Sequence, residues 1–263
     1  MFEKIKGSLA HTDFGRKLKP FYWKLTGDIR AKKGNPSKKN ILLACLPKSG
    51  STYISNIVST YPNFIRTDLV VNYGHSEQEI DSNQAVRYRN INYVAQHHIR
   101  YSKNTDFYIK NYGMIPIVLT RNFFDTIISI KEHIKAESMV WPMAMVNNYI
   151  IKLDDKDLEL ALAELFGPWL FNFYVSWSSF SNKLHITYED LVENENILFE
   201  KIFRYCGLED NKIEKCLFDA KSGRKNRLNV GIIGRGESLN SRAKDFLIKI
   251  SKYYPEIDFT KVL

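Results

Sequence analysis

The chain has 263 residues, 44% of them hydrophobic, and a formal net charge of +9. That is enough apolar material for one substantial α/β core. No apolar run reaches the roughly 18 residues that a membrane-spanning helix needs, and three scattered cysteines speak against a disulfide framework.

The charge is concentrated at one end. Residues 1–39 carry eleven Lys/Arg against three acidic residues, so +8 of the +9 lies there and the rest of the chain is near neutral. Within this stretch Phe14, Leu18, Phe21, Tyr22 and Leu25 recur at near-helical spacing, and Lys32-Lys33-Gly34-Asn35-Pro36-Ser37-Lys38-Lys39 has linker composition. Residues 1–39 are therefore expected to form a basic extension ahead of one domain over 40–263. Two readings of it stand side by side, a solvated packing segment or an arm in peripheral contact with anionic membrane or a polyanionic acceptor.

Ile41-Leu42-Leu43-Ala44-Cys45-Leu46 leads into Pro47-Lys48-Ser49-Gly50-Ser51-Thr52-Tyr53, after which Ile54, Ile57, Val58 and Tyr61 fall at helical spacing. This predicts a buried parallel strand that delivers a tight loop to a helix N-terminus. Free backbone N–H groups and the positive end of the helix dipole make such a terminus an anion site. Lys48 adds a full charge, and Ser51 and Thr52 add hydroxyl donors. In a Walker A loop the lysine follows the glycine; here Lys48 precedes Gly50, which fits an ATP or GTP site poorly.

Asn92-Tyr93-Val94-Ala95-Gln96-His97-His98-Ile99 is strand-like, and alternation allows only one of the two adjacent histidines to face a given side. Ile115-Pro116-Ile117-Val118-Leu119-Thr120 is a further buried strand, ending in Arg121-Asn122-Phe123-Phe124-Asp125 with Asn122 as helix cap and Asp125 in the first turn. Arg121 thus falls at the C-terminal edge of the sheet, where open α/β sheets bind ligands. Ser129, about two helical turns on, can flank the same cleft. A guanidinium and a hydroxyl suit a second phosphate.

Between residues 131 and 170 the chain carries Met139, Trp141, Met143, Met145, Tyr149 and the acidic run Asp154-Asp155-Lys156-Asp157, followed by Gly167-Pro168-Trp169 and Trp177. Ile186-Thr187-Tyr188-Glu189-Asp190-Leu191 and a helix ending Ile202-Phe203-Arg204-Tyr205-Cys206-Gly207-Leu208 come next, then Lys221-Ser222-Gly223-Arg224 and Gly231-Ile232-Ile233-Gly234-Arg235-Gly236-Glu237-Ser238. No His/Cys spacing fits a zinc site, and no metal is expected.

Together the Pro47–Thr52 loop, the Arg121…Ser129 pair, the Tyr188-Glu189-Asp190-Leu191 segment and the Gly-x-Trp…Trp region resemble the PAPS-dependent sulfotransferases over roughly residues 40 to 240. The resemblance implies a single α/β domain with a central parallel sheet flanked by helices, a P-loop-NTPase-like sulfotransferase fold. It also implies transfer of the sulfuryl group of PAPS to a hydroxyl or amine of a small-molecule, lipid or glycan acceptor, with release of PAP and without a metal. Carried over by motif, Lys48 contacts the bridging oxygen of the phosphosulfate, and Ser49, Gly50, Ser51 and Thr52 cradle the 5′-phosphate. Tyr53 stands where the family has a tryptophan that stacks on adenine. Arg121 and Ser129 hold the 3′-phosphate, and Tyr188 reaches the adenine. His98 aligns with the family's base and His97 is its alternative, while Ser222, Arg235 and Gly236 take the part of the closing loop, whose Gly-Asp-Trp is missing here. A cytoplasmic location and no nucleic-acid partner are expected. The rival readings are a P-loop kinase or NTPase, and an inactive module that binds nucleotide or polyanion.

Overall fold

The computed structural model describes residues 37–71, 76–222 and 231–263. The basic extension up to residue 36 lies outside them.

Five parallel strands form one sheet: β1 (Asn40–Cys45), β2 (Phe64–Arg66), β3 (Asn92–His97), β4 (Met114–Thr120) and β5 (Leu184–Thr187), in the order β2-β3-β1-β4-β5. The central strand β1 shows why its sequence reads as an unbroken apolar run. Leu42, Ala44 and Leu46 point into one core and Ile41, Leu43 and Cys45 into another, so both faces are covered.

The first core is closed by α3 (Lys103–Tyr112), α4 (Phe123–Ala136), α6 (Asp155–Ser178) and α10 (Ser241–Ser251). The second is closed by α1 (Ser51–Ser59), α7 (Tyr188–Glu193), α8 (Glu195–Cys206) and α9 (Ile213–Ser222). Two short helices, α2 (Ser82–Tyr88) and α5 (Asn148–Ile151), complete the described set. The result is a helix–sheet–helix sandwich, as predicted.

The strand order places the functional loops. From β1 the chain moves outward to β2, returns to β3 on one side of β1, then crosses to β4 on the other. Ala44 pairs with His97 of β3 and with Val118 of β4, so the loops after all three strands leave the same edge side by side. That edge, outside the carboxyl ends of the strands where the order switches, is where such sheets bind ligands.

Local chemistry sets the helix starts. The Asn122 side chain accepts the Phe124 and Asp125 N–H groups at 2.9 and 3.2 Å and starts α4 immediately after β4. Thr187 and Asp190 form a reciprocal capping box that turns β5 into α7. Among the described residues no helix is long and apolar enough to cross a membrane.

Candidate active site

The loop after β1 is built around an unusual backbone. Lys48 has φ +60°, a left-handed conformation that costs a residue with a side chain, and Gly50 follows at φ +81°. Arg121 holds the strained residue by donating from Nη1 to the Lys48 carbonyl at 2.8 Å. Gly50 is required twice over: a Cβ there would also lie 2.9 Å from Leu191 Cδ2. The Ser49 hydroxyl turns inward to the Leu46 carbonyl (2.6 Å), so only its backbone is available to a ligand. Ser51 and Thr52 open α1 and line the cavity above it.

Arg121 is 4% exposed, and its contacts define the second half of the site. Its guanidinium lies 4.1 Å above the centre of the Tyr188 ring and pairs with Asp125 at 3.4 Å. Its Nε is buried with no hydrogen-bond partner among the described residues. Burial pushes the Tyr188 phenol up from its ordinary value. Asp125, itself 2% exposed, also accepts the N–H groups of Gly234 (3.1 Å) and Gly236 (2.6 Å), which fastens residues 234–236 over α4. Gly236 must be glycine, because a Cβ would stand 2.4 Å from Phe124 Cβ and 2.7 Å from the Asp125 nitrogen.

The cavity between these parts has two contiguous lobes, of about 220 and 240 Å³, that share Lys48, Arg121, Ser129, His133, Glu137 and Tyr188. The first also takes in the α1 N-terminus, Gln96, His98 and Trp141; the second takes in Glu132, Ile232 and Arg235. Arg235 is ion-paired with Glu132. One wall is thus a row on α4 and its flanks in which Arg121, Ser129, His133 and Glu137 face the cavity, while the buried Asp125 of the same every-fourth series lines neither lobe.

The two histidines separate as alternation requires. His97, the last residue of β3, is fully buried and accepts the Leu69 N–H on Nε2 at 2.8 Å; burial pushes its pKa down to about 3. His98, just past the strand, lines the cavity. Its Nδ1 lies 2.8 Å from the Cys45 carbonyl and 3.6 Å from the Cys45 sulfur. A carbonyl can only accept, so Nδ1 carries the hydrogen and the lone pair of the neutral ring is on Nε2. Burial works against the protonated ring, but the Cys45 sulfur and carbonyl outweigh it and hold His98 above its ordinary 6.5. The Gln78 side chain accepts the His98 N–H at 2.7 Å, and the ring meets Trp169 edge-on.

The structure therefore gathers Lys48, Gly50, Ser51, Thr52, His98, Arg121, Ser129, Tyr188 and Arg235 around one cavity. Besides Ser49, whose hydroxyl turns inward, and the buried His97, three predicted site residues lie elsewhere. Tyr53 is 5% exposed in the core beneath α1, with its hydroxyl donated to Glu195. Ser222 is exposed at the end of α9 and bonds to the Phe218 and Asp219 carbonyls. Gly236 gives its N–H to Asp125 and secures the loop instead of facing the cavity. The acidic run at 154–157 is also remote from it: Asp154 caps α6, Asp155 pairs with Lys131 and Lys135, and Asp157 pairs with Arg242. His133 and Glu137 escaped the sequence reading, although the fourfold spacing from Arg121 and Ser129 was there to be followed.

No protein-family model matches the sequence, and no curated protein does. Solved structures match by shape. Mouse sulfotransferase SULT7A1 complexed with PAP superposes with a TM-score of 0.59 at 16% identity, over 88% of this chain and 89% of that one. Retinol dehydratase in complex with androsterone and inactive cofactor PAP gives 0.51 at 12% identity, over 83% of each chain. At such identities the likeness is one of backbone architecture, and on that ground the chain carries the sulfotransferase fold.

Proposed function

We propose that the domain over 40–263 is a PAPS-dependent sulfotransferase, which moves a sulfuryl group onto a hydroxyl or amine and releases PAP. The observation that carries this reading is the meeting of two anion anchors, the Lys48–Thr52 loop and Arg121 with Ser129, in one cavity that His98 also lines. The fit to a nucleotide with two separate phosphates is supported from within the site. The buried Arg121 Nε has no partner among the described residues, and the α1 N-terminus opens onto the same space. The PAP named in the two similar structures agrees with this ligand.

Bound there, PAPS would supply the sulfuryl group. The N-terminus of α1 with Ser51 and Thr52 would hold the 5′-phosphate, and Arg121, Ser129 and Arg235 the 3′-phosphate. The Lys48 ammonium would offset charge on the phosphate oxygen as its bond to sulfur breaks. His98 Nε2 would take the proton of the attacking hydroxyl or amine as the new bond to sulfur forms. Little covalent work falls to the protein; fixing the reacting groups and stabilising charge are its share. The acceptor is a small molecule, glycan or lipid, and the enzyme is cytoplasmic in this reading. The lysine order in the loop argues against a P-loop kinase.

Calorimetric titration with PAP and then ADP, both without magnesium, tests the reading. PAP should bind at least tenfold more tightly than ADP, because only PAP has the 3′-phosphate. Equal affinities, or binding only after magnesium is added, would replace it with a nucleoside-triphosphate site.

A further inference from the structure

His133 lies one helical turn beyond Ser129, and a single ring nitrogen of it faces two partners of opposite charge. Lys48 Nζ is 3.5 Å from Nδ1, and Glu137 Oε2 is 3.4 Å from the same atom. Trp141 packs edge-on to the ring at 5.0 Å between centroids, which limits rotation away from either partner. In the neutral ring Nδ1 either carries a hydrogen or offers a lone pair. With the hydrogen it donates to Glu137 and has nothing for the ammonium. With the lone pair it accepts from Lys48 and has nothing for the carboxylate. The two bonds exclude each other.

Lys48 is the residue for which this matters. Its backbone is fixed in a left-handed conformation by Arg121, while its long side chain reaches across the cavity to α4. An unrestrained lysine loses rotamer entropy when it is fixed.

We propose that His133 is a positioning residue for Lys48: its Nδ1 receives the lysine ammonium until an anion at the α1 N-terminus draws the ammonium away, and then turns to Glu137. This deepens the function proposed above and rests on it in one respect, that the anion is the 5′ end of the sulfuryl donor. The exchange is balanced within the ring. Nδ1 takes up a hydrogen from the solvent in the cavity to give to Glu137 as Nε2 releases one to it, so the ring keeps its charge and changes tautomer. Lys48 release is thereby coupled to a bond that forms elsewhere, and part of the cost of freeing the ammonium is offset.

Imidazole nitrogen shifts read the exchange directly. In the full chain labelled with ¹⁵N-histidine, the His133 resonances are assigned by their loss in His133→Gln. Lys48→Ala should move His133 Nδ1 from the pyridine-like toward the pyrrole-like range, and Glu137→Ala should leave it pyridine-like. Saturating PAP added to the unaltered chain should reproduce the Lys48→Ala shift. A Nδ1 shift indifferent to Lys48→Ala overturns the proposal, and so does PAP that binds without moving it. If PAP fails to bind while Lys48→Ala still moves the ring, the lysine–histidine contact is upheld and it is the donor reading that falls.

Discussion

Arg121 donates a hydrogen bond to the carbonyl of Lys48 across 73 residues of sequence, so the two proposed anion anchors are one mechanical unit. The guanidinium also supports the strained turn that carries Lys48 into the cavity that both residues line. Arg121→Ala should therefore lower turnover as well as donor affinity. Losing charge-assisted bonds of this kind corresponds to about 1.5–3 kcal/mol, or roughly a 10- to 100-fold rise in the PAP dissociation constant. Titration beside steady-state kinetics checks this, and a variant with weakened binding but unchanged kcat would show that the loop stands without its arginine.

Removing the lysine side chain should give a different pattern. Lys48→Ala keeps the loop backbone and the Arg121 contact, so PAP binding should weaken only modestly. Turnover should fall by about 10²–10³, the usual cost of one donor aimed at developing charge. Single-turnover rates at saturating donor separate the two quantities, and an undiminished rate would refute the role given to Lys48.

Asp125 joins Arg121, Gly234 and Gly236 through two carboxylate oxygens. Asp125→Ala strands a buried arginine, a change that costs about 3–5 kcal/mol in comparable pairs. Gly236→Ala forces residues 234–236 off Phe124 without touching the ion pair. Urea unfolding should place Asp125→Ala well below Gly236→Ala in stability, whereas both should lose PAP affinity. Equal stability of Asp125→Ala and the unaltered chain would mean that the pair is structurally idle.

The base should respond to its sulfur neighbour. In the proposed role of base His98 must be neutral; burial lowers its pKa, but the Cys45 sulfur and carbonyl outweigh that and hold it above 6.5. The rate should therefore fall as pH drops, with a midpoint above 6.5. Cys45→Ala keeps the carbonyl and removes the sulfur, which should move that midpoint to lower pH. A pH–rate profile of each variant decides it, since an unmoved midpoint would assign the acid limb to another group.

Stability should carry a separate acid signature. His97 titrates near 3 and His185 near 4 in the folded chain, both held down by burial, against 6.5 when exposed. As pH falls below 6.5 the unfolded chain takes up these protons first. Stability is thus intact above pH 6.5 and drains away between 6.5 and about 4, by up to about 1.4 kcal/mol per pH unit for each histidine. His97→Gln keeps an acceptor for the Leu69 N–H and should lose stability less steeply over that window. Denaturation midpoints between pH 7.5 and 4.5 measure the slopes, and parallel curves would contradict the assignment.

What the sequence disclosed follows from how far each signal travels along the chain. The β1 loop, Arg121 and the Asn122 cap are local: strand, turn and helix start lie within a dozen residues, and their physics is short-ranged. The choice between His97 and His98 was legible as an alternation but not as a direction, because only packing on Leu69 and Cys45 fixes which ring faces the core. Tyr53 misled because a motif records where a residue stands in a helix and not which neighbour takes its hydroxyl; Glu195 is 142 residues away. Asp125 looked like an ordinary first-turn acid, and nothing nearby announced that it fastens residues more than a hundred positions further on.

The row on α4 has a geometric consequence of its own. A stride of four on a helix of 3.6 residues per turn overshoots each revolution by about 40°, so the row winds slowly around the cylinder as it climbs. Asp125 and His133, about 12 Å apart along the axis, therefore point about 80° apart. This is how one helix can clasp the 234–236 segment at its foot and meet the tip of Lys48 further up. It also makes the site sensitive to length more than to composition. Inserting or deleting one residue within α4 would swing everything beyond it by about 100°, carrying His133 and Glu137 off the cavity while leaving Arg121 and Asp125 where they are.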